Sequence, residues 1–122
     1  MDHRILKLHP LDDHNAFDFA YIEILGASLT TTSSSAGVAK GTLVCNAKDD
    51  GSNTVTITFI EPLEFAPIVF YQPTSSNTLV QETSSSVTQL IYTTVQAADA
   101  STAAADKNIR ILLLIPRGLE VV

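Results

Sequence analysis

The chain is divided by turn signals at intervals of about 8 to 12 residues, and the segments between them are rich in β-branched and aromatic residues. The clearest example is the pair of segments 41–47 and 53–60, which flank the sequence KDDGS. The second segment alternates apolar and hydroxylic residues, as expected of a strand with one buried face. Asp50-Gly51 is a dipeptide that type I′ turns favour, because both central residues of such a turn need positive φ. The sequence therefore predicts a β-hairpin closed at Asp50-Gly51.

Eight segments fit this pattern, and the connections between them are of hairpin size, so we expect neighbouring segments to pair antiparallel. We predict an all-β fold, an antiparallel β-sandwich or jelly roll of about eight strands, with an up-and-down barrel as the alternative. The Ala-rich stretch 97–108 predicts at most one short helix near 99–105, capped by Asp99, or a long hairpin tip. The predicted strands are 3–9, 17–25, 41–47, 53–60, 68–72, 78–82, 87–96 and 109–116.

Two of these strands carry apolar residues on both sides. In FDFAYIEIL (17–25) the apolar positions change sides near Tyr21, which predicts a β-bulge or burial of both faces at that point. The segment IRILLLIP (109–116) is almost continuously apolar. Such a run is typical of a strand that is buried on both faces.

Two prolines, Pro62 and Pro67, separate strand-like runs in the segment TITFIEPLEFAPIVFY (56–71). Proline fixes φ and lacks a backbone N–H, so this segment cannot continue a helix and resists pairing along a sheet edge. We predict that it turns a corner between strands. Leu63 and Phe65 are expected to close the end of the sandwich there.

The length of 122 residues fits a single domain, 1–122, with residues 1–16 as a possible N-terminal arm. Serine and threonine make up 25 residues, 11 Ser and 14 Thr, which suits turns and pleated surfaces and supports the all-β prediction. The segment 26–40 is hydroxylic and without periodicity, so we predict a loop of unusual length. Long loops in compact domains are usually functional or mobile.

The net charge is −6 and the seven basic residues are scattered. Nucleic acid and anionic membrane are therefore not expected as partners. No stretch approaches the roughly 18 apolar residues that span a bilayer, and no N-terminal segment has the pattern of a cleaved signal. The sequence predicts a soluble protein.

No catalytic, cofactor-binding or metal-binding residue is predicted, and we expect the chain not to be an enzyme. His3, His9 and His14 match no metal-ligand spacing, and the segment 48–53 lacks the acidic pattern of a calcium loop. There is no G-x-S-x-G nucleophile motif and no glycine-rich phosphate loop. Cys45 lies in the apolar run TLVCNA, where a buried core thiol is expected.

The segment TVTITFIEPLEFAPIVFY (54–71) resembles a pattern found in small β-sandwich proteins of bacteriophage virions and in the H-type lectin-like modules of tail fibres. That pattern is an alternating strand ending in Phe, a polar-Pro-apolar turn, and a Pro before an apolar strand. The Ser/Thr/Ala-rich, Trp-free chain also looks like phage head decoration, or cement, proteins. The segment RILLLIPRG (110–118) departs from the lectin family, because it lacks the aromatic residues of the sugar pocket.

The resemblance implies a virion structural protein on the capsid surface, a decoration or cement protein that forms a homotrimer and clamps neighbouring major capsid protein subunits. Residues 1–16 and the C-terminal LEVV (119–122) would reach other subunits, and the exposed Glu61 and Glu64 could meet a partner. The alternative is a carbohydrate-binding tail or fibre module. Its site would lie on the loops 26–40 and 73–77.

Overall fold

The computed structural model describes residues 6–7, 17–31, 39–51, 53–104, 106–116 and 120–121. These residues form ten β-strands, one 3-10 helix at Gly26–Ser28 and no α-helix, so the all-β prediction is confirmed. The strands are β1 (Leu6–Lys7), β2 (Phe17–Ile24), β3 (Ala39–Gly41), β4 (Cys45–Gly51), β5 (Thr54–Phe59), β6 (Ile68–Pro73), β7 (Thr78–Ser85), β8 (Gln89–Gln96), β9 (Ile109–Pro116) and β10 (Glu120–Val121).

Eight of these strands form two four-stranded antiparallel sheets. The first sheet has the order β3-β2-β9-β6 and the second has the order β4-β5-β8-β7, while β1 pairs with β10. The inner faces of both sheets contribute to one core, as the predicted β-sandwich requires. The core residues are Ala20, Ile22, Ile24, Cys45, Ala47, Val55, Ile57, Phe59, Leu90, Tyr92, Ile109, Ile111 and Leu113.

The prediction that neighbouring strands always pair is wrong. The pairs β2–β3, β4–β5 and β7–β8 are sequential, whereas the chain crosses to the opposite sheet from β3 to β4, from β5 to β6, from β6 to β7 and from β8 to β9. Sheets in a sandwich pack about 10 Å apart, so a loop short enough for a hairpin can also cross from one sheet to the other. Loop length alone does not distinguish the two connections.

The proline segment makes one of these crossings, between β5 and β6, as a corner. Leu63 packs against the core, and its N–H donates a hydrogen bond to the carbonyl of Val87 at 2.8 Å. Pro67 is buried, but Phe65 remains 39% exposed. The prediction that this segment closes the end of the sandwich is therefore confirmed for Leu63 and wrong for Phe65.

The predicted hairpin of β4 and β5 is present, with its turn displaced along the chain. Gly51 pairs with Thr54, and the positive φ angles belong to Gly51 (80°) and Asn53 (66°). The register shifts between Asp49 and Gly51, so Asp50 is the extra residue of a β-bulge instead of a turn residue. The Gly51 N–H donates to Asp49 Oδ1 at 2.9 Å, which holds the backbone at the bulge.

Within residues 97–104 the segment between β8 and β9 does not form the predicted helix; it turns back on the end of β8 as a hairpin tip, with the Gln96 N–H donating to the Thr102 carbonyl at 2.9 Å. Asp99 instead caps a turn: its carboxylate accepts hydrogen bonds from the Ser101 N–H at 3.0 Å and from the Thr102 hydroxyl at 2.7 Å. A single β-bridge joins Ala103 to Val95. A carboxylate that bonds its own backbone two residues on favours a turn over a helix start when no periodic apolar face follows.

The predicted loop 26–40 is partly ordered into regular structure. It begins with the 3-10 helix and ends in β3, which pairs with β2 at the sheet edge. Residues 32–38 lie outside the described part, as do most of the possible N-terminal arm 1–16 and half of LEVV. The roles predicted for those segments stay predictions.

Candidate functional site

The outer side of the first sheet is apolar. Along β2, β9 and β6 every second side chain points into the core, and the intervening ones point outward. Among the outward side chains Phe19 is 64% exposed, Phe70 53%, Ile68 47% and Leu112 40%. These are four large apolar residues on three adjacent strands, where a solvated sheet face would carry polar residues.

The strand registers arrange these outward side chains in rows that cross the sheet. Phe19 lies opposite Leu114, which lies opposite Ile68; Tyr21 lies opposite Leu112, which lies opposite Phe70. Phe17 and Pro116, which lie opposite each other, form one more row at one end of the sheet. We call the whole set of these outward side chains the apolar face. It consists of Phe17, Phe19, Tyr21, Ile68, Phe70, Leu112, Leu114 and Pro116.

A row of polar residues bounds the apolar face at its other end, where Glu23, Arg110 and Gln72 are neighbours across the strands. The Tyr21 hydroxyl donates a hydrogen bond to Glu23 Oε2 at 2.9 Å. This bond to a carboxylate, more than burial, raises the pKa of Tyr21, and Arg110 acts in the opposite direction. Tyr21 therefore remains a neutral donor at physiological pH and joins the apolar rows to the charged row.

The geometry corrects two sequence predictions. Strand β2 pairs with β9 from Phe17 to Ile24 without a register shift, so no bulge lies near Tyr21. The alternative, burial of both faces of β2, is not present either, because the outward Phe19 is 64% exposed. Strand β9 is buried on one face only: Ile109, Ile111 and Leu113 are fully buried, whereas Leu112 is exposed. In a strand with a continuous apolar run, one face can be buried in the core while the other is exposed. Sequence periodicity does not distinguish such a strand from one that is buried on both faces.

The outer face of the second sheet differs in chemistry. Its rows include Thr54 opposite Thr93, and Thr93 opposite Gln81. Leu79 is a large apolar side chain on this face and is 42% exposed; Val44 (69%) and Ile60 (53%), which flank β4 and β5 at one end of the sheet, are exposed as well. Four of the eight large apolar side chains that are exposed among the described residues thus lie together on the outer face of the first sheet. Contiguous exposed apolar patches on soluble domains typically mark interaction sites.

A second candidate site is polar and lies at one end of the sandwich. It consists of two neighbouring clefts of about 320 Å³ and 480 Å³, and both are lined by Asp106. Asn108 fixes the loops around them, because its Oδ1 accepts from the Gly26 N–H at 2.8 Å and its carbonyl accepts from the Thr74 N–H at 3.1 Å. The other lining residues are Ser75, Asn77, Thr78, Gln96 and Ala98 in the smaller cleft, and Gly26, Ala27, Leu29, Asp49, Lys107 and Asn108 in the larger.

The linings of these two clefts include residues from the described parts of the loops 26–31 and 73–77, for which the sequence predicts a sugar site as the alternative function. Thr78 Oγ1 donates to the Asp106 carbonyl at 2.7 Å, and Lys107 Nζ lies 3.3 Å from Asp49 Oδ2. Hydroxyl, amide and carboxylate groups thus converge, and the described lining residues of the two clefts include no aromatic ring. No sequence pattern indicates the role of Asn108, because its hydrogen-bond partners lie 82 and 34 positions away.

In the hairpin between β4 and β5, the carboxylates of Asp49 and Asp50 both have partners within the chain. Asp50 accepts a hydrogen bond from the Thr56 hydroxyl and lies 3.0 Å from Lys48 Nζ, and these contacts lower its pKa. Asp49 is engaged by Gly51 and by Lys107. Over the described residues no group of three or more His, Cys, Asp or Glu side chains is placed to hold a metal ion. His3, His9 and His14 are outside that part of the chain.

Cys45 is the buried core thiol that the sequence predicts, with 2% of its surface exposed. Burial raises the pKa of this thiol from 9.0 to about 11, so it is protonated at neutral pH. Glu61 and Glu64 are exposed on the proline segment. Their predicted contact with a partner stays a prediction.

No family model, curated protein or solved structure matches this chain. In the described part of the chain, no helix has the length and hydropathy to cross a membrane. The resemblance to phage virion modules remains a prediction from one sequence segment. The geometry defines a β-sandwich with one outer face rich in threonine, one apolar outer face and two neighbouring polar clefts at one end.

Proposed function

We propose that this chain is a non-enzymatic structural protein that works by adhesion, with the apolar face packing against other subunits of an assembly. The observation that carries the proposal is the exposure of Phe19, Ile68, Phe70 and Leu112 on neighbouring strands. Covering half-exposed side chains of this size contributes about 1 kcal/mol each, at roughly 25 cal/mol per Å² of apolar area. Several such residues in register are enough to hold a subunit in place when many copies bind together.

The assembly that we propose is a virus particle, in which the chain is a homo-oligomeric capsid decoration protein clamping major capsid protein subunits. Support comes from the resemblance of the segment 54–71 to virion modules and from the Ser/Thr-rich composition. A net charge of −6 keeps the free protein soluble before it docks, although an apolar face is exposed.

The experiment for this proposal uses intact particles from a culture that expresses the gene in its natural context. Banded particles are analysed by quantitative mass spectrometry and labelled with a gold-conjugated antibody against the chain. We expect many copies per particle and label distributed over the shell. Absence of the chain from washed particles would refute the proposal, whatever its oligomeric state in solution.

The polar clefts favour a second candidate function, a carbohydrate-binding tail or fibre module. Asn77, Gln96 and Asp106 present amide and carboxylate groups, the donors and acceptors that sugar hydroxyls use. The described lining of the clefts has no stacking ring, so binding through these residues would depend on hydrogen bonds alone and would be weak for one site.

A glycan array probed with the assembled protein tests the second function. Asn77→Ala and Gln96→Ala are the test variants, and Gln81→Ala, on the outer face of the second sheet, is the control. Binding that the two cleft variants abolish and the control retains would support a sugar site at this end. An array without signal above background would exclude it.

A further inference from the structure

The smaller of the two polar clefts has one charged side chain, that of Asp106, among its described lining residues. The other polar side chains of its lining are hydroxyls and amides, from Ser75, Asn77, Thr78 and Gln96. Hydroxyl and amide groups can donate and accept hydrogen bonds, whereas a carboxylate only accepts them. The cleft therefore presents groups that suit the hydroxyls of a ligand and one group that favours a cation.

Asp106 is held in place by two hydrogen bonds. The Asn108 N–H donates to Asp106 Oδ1 at 2.8 Å, and the Thr78 hydroxyl donates to the Asp106 carbonyl at 2.7 Å. Thr78 is buried, so it fixes the Asp106 backbone against the start of β7. Over the part of the chain that the structure describes, no donor contacts the second carboxylate oxygen, Oδ2, which is left for a ligand.

The walls of the smaller cleft are joined to each other by backbone hydrogen bonds. The Ala97 N–H donates to the Asn77 carbonyl at 2.8 Å, and the Thr78 N–H donates to the Ser75 carbonyl at 3.2 Å. These bonds connect the turn before β7 with the end of β8, so the cleft is formed before a ligand arrives. A preformed site loses less free energy to ordering when it binds.

The nearest lysine does not neutralise Asp106. The Nζ of Lys107 lies 3.3 Å from Asp49 Oδ2, and this ion pair is part of the lining of the larger cleft. Over the described lining of both clefts, two carboxylates and one ammonium group leave a net charge of −1. The clefts therefore attract a cationic ligand and repel an anionic one.

We propose that the smaller cleft binds an amino sugar whose amine is free and protonated. The inference rests on the carbohydrate site of the second proposed function and names the ligand class of that site. The ammonium group of the sugar donates to Asp106 Oδ2, and the ring hydroxyls bond to the side-chain amides of Asn77 and Gln96. The volume of about 320 Å³ is at the lower end of the range for small-molecule sites, roughly 300 to 1,000 Å³, so the cleft takes a single ring.

The same chemistry disfavours other ligands of similar size. An acidic sugar brings a second carboxylate toward Asp106, and like charges repel. An N-acetylated sugar has a neutral amide in place of the ammonium group, so it loses a charge-assisted hydrogen bond. A simple alkylammonium ion keeps the contact with Asp106 but leaves Asn77 and Gln96 without hydroxyl partners. The cleft thus discriminates by one charged substituent on a hydroxylated ring.

The test is a titration of the full, ¹⁵N-labelled chain followed by NMR, in roughly 0.15 M salt. The probes are glucosamine, N-acetylglucosamine, glucose, glucuronate and methylammonium, at a slightly acidic pH where glucosamine is protonated. We expect glucosamine to bind about fivefold more tightly than glucose or N-acetylglucosamine, and glucuronate to bind most weakly. The shifted amide signals should belong to residues 75–78 and 96–98.

Two matched variants locate the charge that makes the difference. Asp106→Asn removes the charge but keeps an oxygen for the Asn108 N–H, so glucosamine and glucose should then bind alike. Glu64→Gln removes the same charge from the proline segment, which precedes β6, whereas the cleft begins after β6. This control should keep the preference for glucosamine, which separates the cleft from general attraction of a cation to a chain of net charge −6.

The outcomes distinguish this inference from the proposed functions. Equal binding of glucosamine and glucose by the wild type would overturn the amino-sugar inference and leave a carbohydrate site in place. A preference that survives Asp106→Asn, or methylammonium binding as tight as that of glucosamine, would also overturn it. No shift with any sugar would refute both the inference and the second function. The presence of the chain on particles is independent of all these results.

Discussion

Tyr71 of β6 and Tyr92 of β8 contact each other across the interior of the sandwich, with ring centroids 5.1 Å apart and an interplanar angle of 52°. The two hydroxyls are in different situations. That of Tyr71 donates to Glu82 Oε1 at 3.0 Å, whereas that of Tyr92 is buried without a hydrogen-bond partner. Burial raises the pKa of both tyrosines, so both hydroxyls are neutral at physiological pH.

Tyr92→Phe should therefore stabilise the protein. The change removes a buried hydroxyl that has lost its water contacts and gained no partner, and it keeps the ring contact with Tyr71. We expect a gain of about 1 kcal/mol in the free energy of unfolding, measured by urea denaturation. The matched control is Tyr71→Phe, which removes a bonded hydroxyl and should cost about 0.5 to 1 kcal/mol. Equal losses in both variants would contradict the interpretation.

Thr94→Val tests the second buried hydroxyl without a partner. Thr94 is fully buried, and valine has nearly the same shape without the hydroxyl, so the change removes a buried polar atom that has no partner. We expect thermal unfolding to shift upward, by about 1 kcal/mol in stability. Thr93→Val, in the neighbouring position on the outer face, is the control and should change stability by less than about 0.5 kcal/mol. A destabilised Thr94→Val would mean that the hydroxyl has a partner such as an ordered water.

Gly41→Ala should separate β3 from β2. Gly41 has a φ of 135°, and a methyl group there would lie 1.9 Å from the Tyr21 carbonyl oxygen. That oxygen also accepts a hydrogen bond from the Thr42 N–H at 2.9 Å. We expect a loss of at least about 2 kcal/mol, because the backbone must move at this edge.

The control for this prediction is Gly51→Ala. Gly51 also has positive φ, 80°, but a methyl group there meets nothing within 4 Å. It should cost about 1 kcal/mol from backbone strain alone. Hydrogen exchange of the amides of β3 distinguishes the two glycines, since only the Gly41 variant should expose them. Similar costs for both variants would show that the close approach to Tyr21 is unimportant.

The sequence predicts the fold where local chemistry decides it. The alternation Val55, Ile57, Phe59 gives the buried face of β5 correctly, because a strand has period two and one face meets the core. The sheet crossings and the position of Asn108 between two loops depend on contacts between distant residues, which no local pattern records. The sequence does not predict the apolar face, for a different reason. The outward Leu112 and the inward Leu113 are the same residue type, and only the structure shows which of the two is buried.

The buried thiol of Cys45 predicts that the stability of the folded protein decreases at alkaline pH. Its pKa is about 11 in the folded protein and near 9.0 when unfolded, so the folded state holds its proton more tightly. The stabilisation from keeping the thiol neutral is therefore fully present below pH 9 and is lost as the pH rises toward 11. In urea titrations across this range, the stability of the wild type should fall relative to Cys45→Ala, which lacks the group. Burial and the Cys45 thiolate both raise the pKa of Tyr92, so in the folded protein this tyrosine stays neutral over the range in which the thiol titrates, and the difference between the two proteins reports the thiol. A difference that stays constant with pH would show that the thiol titrates equally in the folded and unfolded chains.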